Sequence, residues 1–267
     1  MIFIGSLIGS IIGFKFGGFF GMIFGALLGS RAEVWVRENL LGEPSRQYRV
    51  QQSYFEALFT SIGKLAKVDG VVTKDEIRRC ESIMQRMQLT AEHRKQAIDY
   101  FNQGKQPGFD IRPVIEKLYF ASGRSYSIKQ MFMEMLLEVA AAENQIKQSE
   151  WQLMLQICEY LRFPQNLFIT LARMRGFNAN GSRSQSSNQR QQWTRPQQQK
   201  TNPYQVLGVN QSDSKAVIRK AYKKLMSSHH PDKLIAKGMP PEMIEIAKNK
   251  TQKIQAAWED IKQQRGF

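Results

Sequence analysis

Apolar residues are laid out along this chain in three distinct ways, and the differences divide it into parts. From Met1 to Leu28 they are nearly continuous, broken by glycine, serine and a single charge, Lys15. From about Gln51 to Arg175 they recur at helical spacing. One stripe is Phe55, Leu58, Phe59, Ile62 and Leu65; another includes Met131, Met135, Leu136 and Val139. Between Phe177 and Thr201 they almost vanish, replaced by Asn, Gln, Ser and Arg with no acidic residue. Then the helical stripe returns, in Ile218, Ala221, Tyr222 and Leu225 and again in Ala247, Ile254, Ala257, Trp258 and Ile261. No stretch alternates at the two-residue period of a strand, so the pattern predicts an all-α chain.

The boundaries follow from local chemistry. Helix starts are expected at Thr73, where Glu76 completes a capping box, and at Thr90 and Ser149. Breaks are expected at Gly70, around Gly104 to Gly108, near Ser122 to Ser125 and at Pro164. This gives roughly seven helices over residues 51–175. The tract 177–201 lacks the apolar surface to build a core and is expected to be a disordered tether. Residues 202–267 form a last domain.

At 1.5 Å per residue, the first apolar stretch reaches roughly 40 Å as one helix, enough for a hydrocarbon core of about 30 Å. A single transmembrane anchor over residues 1–30 is therefore expected; a cleaved leader would want a basic start and a shorter run. Gly5, Gly9, Gly13, Gly17, Gly21, Gly25 and Gly29 recur at every fourth position. Such spacing makes a flat helix face where a second backbone approaches closely, so a homodimer through this helix is expected. Arg31, Arg37, Arg46 and Arg49 follow the segment and nothing comparable precedes it. The positive-inside rule then leaves the bulk of the chain in the cytoplasm and a short N-terminus outside.

In the C-terminal part, two apolar-striped helices joined by a loop of about ten residues predict an antiparallel hairpin. Pro231 ends the first helix and biases His230 out of helical geometry, presenting His230, Pro231 and Asp232 at an exposed tip. The opposite face of the first helix carries Lys215, Arg219, Lys220, Lys223 and Lys224. Together with Asn202-Pro-Tyr-Gln-Val-Leu-Gly-Val209, whose Tyr204, Val206 and Leu207 would pack on the hairpin, this arrangement resembles a J domain. The resemblance implies docking on a DnaK-type chaperone through His230, Pro231, Asp232, Arg219, Lys220, Lys223 and Lys224, with stimulation of that partner's ATP hydrolysis. Of the other histidines, His93 is expected to stand alone on a helix and His229 to pack between the hairpin helices.

The middle region contains an internal repeat. Residues 66–76 lie over residues 140–150, placing Asp69 on Glu143, Gly70 on Asn144 and Glu76 on Glu150. Each copy is a helix, an acidic turn and a new helix, and the pattern resembles the all-helical TerB domain. That resemblance makes Asp69, Glu76, Glu143 and Glu150 candidate divalent-metal ligands. The competing reading gives Glu76 to capping and Asp69 to a turn, and Lys147 beside the second copy favours it. An EF-hand is excluded, since its Asp-x-Asp-x-Asp-Gly spacing is missing.

Charge and cysteine refine this picture. The formal charge is +15 over 267 residues, which ordinarily raises nucleic acid as a partner. Here the basic residues are spread over three regions, and the dense stripe is the one the J-domain reading already uses; no nucleic acid is expected. Cys80 and Cys158 sit in apolar helical stretches without metal-ligand spacing and are expected to be buried, reduced thiols. No catalytic constellation and no cofactor is expected. The order of parts is similar to that of membrane-anchored bacterial J-domain co-chaperones, implying the inner membrane and a part in stress responses. The alternative is a metal-responsive membrane signalling scaffold centred on the TerB-like domain.

Overall fold

The computed structural model describes residues 4–39, 45–68, 74–141, 146–178, 181–182 and 202–266. Its regular elements are all helices, in two units, Met1–Arg49 and Val50–Phe267.

In the first unit, α1 (Ile4–Asn39) doubles back at Gly18, which takes φ +58°. A methyl group placed on Gly9 would strike the carbonyl oxygen of Gly25, and one on Gly13 would strike that of Gly21. The glycine face is thus closed by its own chain, one arm of the hairpin lying in the groove of the other. This differs from the straight helix that the sequence predicts. The four-residue glycine period makes a groove but does not say whose backbone fills it. Paired glycines at the apex let the nearer occupant win, since only glycine takes positive φ without strain. Gly5, Gly17 and Gly29 belong to the same stripe in α1. Among the described residues, no helix is long and apolar enough to cross a membrane. The outside of the hairpin is strongly apolar: Leu7, Ile11, Phe20 and Leu28 are each more than 60% exposed.

The second unit begins with seven helices: α2 (Arg46–Lys67), α3 (Lys74–Arg86), α4 (Ala91–Gly104), α5 (Arg112–Ser122), α6 (Tyr126–Ala140), α7 (Gln148–Tyr160) and α8 (Gln165–Met174). The predicted stripes are buried, including Leu58, Phe59, Ile62, Met131, Met135 and Leu136. Helix α6 is the central one, with buried residues on all sides from Ser127 to Ala140. Gly63 on α2 and Gly104 at the end of α4 let these helices touch backbone to backbone; a methyl on either would strike a carbonyl oxygen of the other helix. The Thr90 hydroxyl caps α4 by accepting from the His93 N–H. Helix α7 starts at Gln148, capped at Lys147 rather than at Ser149 two residues later, because the Glu150 side chain accepts from the Lys147 N–H. Cys80 and Cys158 are buried and unpaired, and burial pushes each thiol up to about 12.

Four more helices follow: α9 (Pro203–Leu207), α10 (Lys215–His229), α11 (Pro231–Ala236) and α12 (Pro241–Arg265). Helices α10 and α12 form the hairpin, sealed by Ile218, Leu225, Ile254, Ala257 and Ile261 with Tyr204 and Leu207 of α9. Tyr222 stacks on Trp258 at 4.9 Å. The segment expected to be a plain loop holds the short helix α11, which starts where Pro231 fits the first helical turn.

The expected tether does not begin where the composition changes. Phe177 is buried in the core, and the Asn178 N–H donates to the Ser182 carbonyl oxygen at 2.6 Å. The rest of the predicted linker, residues 183–201, lies outside the described residues.

Candidate functional site

His230 sits between two helices with extended backbone, φ −61° and ψ 122°, as the N-cap of α11. Pro231 occupies the first helical position and Asp232 the first turn. The tripeptide is presented outward: the Asp232 side chain is 86% exposed and that of His230 45%. Their closest approach is 3.9 Å, from His230 Nδ1 to Asp232 Oδ2, and that nitrogen has no hydrogen-bond partner. Lys233 is turned away, donating to Ser227 Oγ at 2.8 Å. Arg219, Lys220, Lys223 and Lys224 are exposed along α10 and form no ion pair among the described residues. The predicted docking residues therefore share one open, basic surface ending in the His230 and Asp232 side chains. This geometry suits capture of an acidic partner surface, the charges raising encounter rate and the tip setting register.

The opposite side of the same hairpin is closed. Leu234, Met239, Met243, Ile246 and Ala247 belong to the hydrophobic core built by α2 to α8. Lys237 Nζ donates to Ser127 Oγ at 2.9 Å, and His93 Nδ1 lies 2.9 Å from Glu242 without hydrogen-bond alignment. His93 is thus not alone on its helix. His229 is not packed between the hairpin helices either: its Nε2 lies 2.9 and 3.1 Å from the two carboxylate oxygens of Glu134 on α6. Lys250 of α12 also donates to Glu134, as does Gln130 at 2.8 Å. Burial would raise the Glu134 carboxyl, but the charges and hydrogen bonds of Lys250 and His229 hold it well below the usual carboxylate range. Beside this cluster a cavity of about 440 Å³ opens between the two domains, walled by Leu171, Met174, Phe177, Val206 and Ile254.

The acidic repeat is only partly visible. Asp69 and Glu143 lie outside the described residues, as does the side chain of Glu76. Glu150 is buried and caps α7. Among the described residues, no group of acids, histidines and cysteines is arranged to hold a metal ion.

Comparisons with known proteins agree with this division. Residues 55–173 match the model of the tellurite resistance protein TerB, and residues 202–265 match that of the DnaJ domain. A Vibrio cholerae protein named co-chaperone protein DjlA is 38% identical over 236 residues, 84% of this chain and 82% of that one. The chain belongs to the DjlA co-chaperone family. Proteins of the same name from Vibrio vulnificus and Photorhabdus laumondii are 33% identical over 238 residues and 38% over 222. These alignments cover 85% and 81% of this chain, and 83% and 81% of the relatives. No solved structure matches the chain. As a member of this family carrying a DnaJ domain, it is a J-domain co-chaperone with a TerB-like middle domain.

The exposed tripeptide and basic face are readable together in the sequence because their residues are consecutive or at helical spacing. Glu134 is not readable in that way, since it lies 95 residues from His229. The signal available was a glutamate inside the apolar stripe of α6, among Phe132, Met133, Met135 and Leu136, where an acid is kept only if paired.

Proposed function

We propose that the chain docks on a DnaK-type chaperone through His230, Pro231, Asp232 and the basic face of α10, and stimulates its ATP hydrolysis, in envelope or stress responses. The observation that carries this reading is the exposed tripeptide beside cations with no ion partner among the described residues, on a hairpin whose other side is buried. The chain acts as a regulator. Its charged face speeds encounter, and the tip favours the partner's hydrolysis-competent state by binding it better than the others, as differential affinity requires. The test is the ATPase rate of the chaperone with the full chain and with His230→Gln. Wild type should raise the rate and the variant leave it near basal while keeping its helical content; equal stimulation by both would contradict the reading.

We further propose attachment to the bacterial inner membrane through α1, with the bulk of the chain in the cytoplasm. The exposed apolar surface of the hairpin and the arginines that follow it support this. The straight span expected from sequence and the doubled-back helix place the start of α1, at Ile4, on opposite sides of that membrane. A topology reporter fused at Met1 separates them. A periplasmic signal means that the glycine face opens in lipid, where it becomes available for pairing between two chains. A cytoplasmic signal means that the hairpin persists.

A further inference from the structure

We propose that Glu134 is a positioning residue for the His-Pro-Asp loop: it clasps His229 and Lys250 of the J domain and fixes the direction in which that domain presents its outward face. Three observations carry this. Glu134 is buried, and all its partners except Gln130 come from the other domain. His229 immediately precedes His230, so holding its ring fixes the backbone from which the tripeptide departs. The clasp is also surrounded by shared apolar core, with Leu234, Met243 and Ala247 wholly buried within two helical turns of its members.

The hydrogen bonding sets the chemical state of the clasp. His229 Nδ1 lies 2.9 Å from the Leu225 carbonyl oxygen, and Nε2 faces the Glu134 carboxylate. A carbonyl oxygen and an ionised carboxylate can only accept. The ring can donate to the carboxylate from Nε2. Glu134 is ionised, since the Lys250 ammonium and the Gln130 amide also donate to it. The clasp is thus a buried carboxylate facing the Lys250 ammonium and the His229 ring, and it demands an acid on the middle domain.

The consequence for the partner rests on the docking reading above, but the clasp is tested without it. Spin labels at Lys95→Cys and Gln263→Cys, both exposed, report the separation of the two domains in the full chain in nanodiscs. We expect one narrow distance distribution, broadened by Glu134→Gln and by Lys250→Met with helical content unchanged. A broad distribution in wild type, or a distribution unmoved by Glu134→Gln, would overturn the clasp. In the ATPase assay, Glu134→Gln should raise the chain concentration giving half-maximal stimulation several-fold and leave the maximum unchanged, since orientation is lost and the contacting groups are intact. Released domains with an unchanged half-maximal concentration would overturn the positioning role. A narrow distribution in a chain that never stimulates would sink the docking reading and leave the clasp standing.

Discussion

His229 and His230 are neighbours in sequence and opposites in structure. The side chain of His229 is 3% exposed and bonded at both ring nitrogens; that of His230 is 45% exposed and its Nδ1 is bonded to nothing. The same contrast runs through the whole J domain. Outward, Arg219, Lys220, Lys223 and Lys224 have no ion partner among the described residues, while the inward surface is continuous with the core of the middle domain. The difference teaches where to look for function and where for stability. On the docking reading the unpaired charges of α10 serve another molecule, whereas the matched groups inside hold this one together.

That contrast can be broken from the inside first, with the largest effect. Glu134→Ala removes the buried partner of Lys250 and His229 and should cost about 3–5 kcal/mol, as loss of one partner of a buried ion pair usually does, read as a fall in melting temperature. His230→Gln should leave the melting temperature within error. If the two variants shift it equally, the division into inner and outer faces is wrong.

A second test acts outside. Reversing Lys220 and Lys223 to Glu should slow association with the chaperone about tenfold at low salt and flatten its salt dependence, because steering charges are screened over about 8 Å at physiological ionic strength. Stability should not change. Unaltered association at low salt would reduce the basic face to solvated surface.

A third sharpens the comparison by pH. The Glu134 carboxyl is held below its ordinary range, so its contribution is fully present above the unfolded value of about 4.3 and is lost as pH falls through the folded value. The melting difference between wild type and Glu134→Gln should therefore be constant above pH ~4.5 and shrink below it. A difference that grows on acidification would mean that the carboxyl is protonated in the native clasp. The smallest effect concerns a single helix start: Thr90→Ala removes the cap of α4 and should cost about 1 kcal/mol.

How much of the molecule is legible in its sequence depends on distance along the chain. The hairpin, its basic face and the exposed tripeptide follow from spacings of three, four and seven residues and from the backbone preferences of proline. The helix count of the middle domain follows from the same periodicity and from glycine and proline breaks. What one sequence does not show is which surfaces meet. The abrupt change of composition after Phe177 suggests a J domain free on a tether, yet Leu234, Met239 and Met243 are seated in the neighbouring core. Their apolar character is visible, but nothing in their spacing distinguishes burial within the hairpin from burial against a second domain. The glycine face of α1 is similar. Its close approach is predictable, whereas its partner, Gly25 for Gly9 and Gly21 for Gly13, depends on a turn at Gly18 that periodicity does not encode.

The division of labour between the two faces is tested most directly by hydrogen–deuterium exchange of the full chain, with and without the ATP-loaded chaperone. The tripeptide and the outward face of α10 should gain protection, from about residue 215 to residue 233. Helix α6 and the inward half of α12 should exchange slowly in both states and show no further change. Protection appearing instead on α6 or α8, or faster exchange at α6 on binding, would mean that the partner enters through the seam, and would contradict an outward docking face backed by a closed inner one.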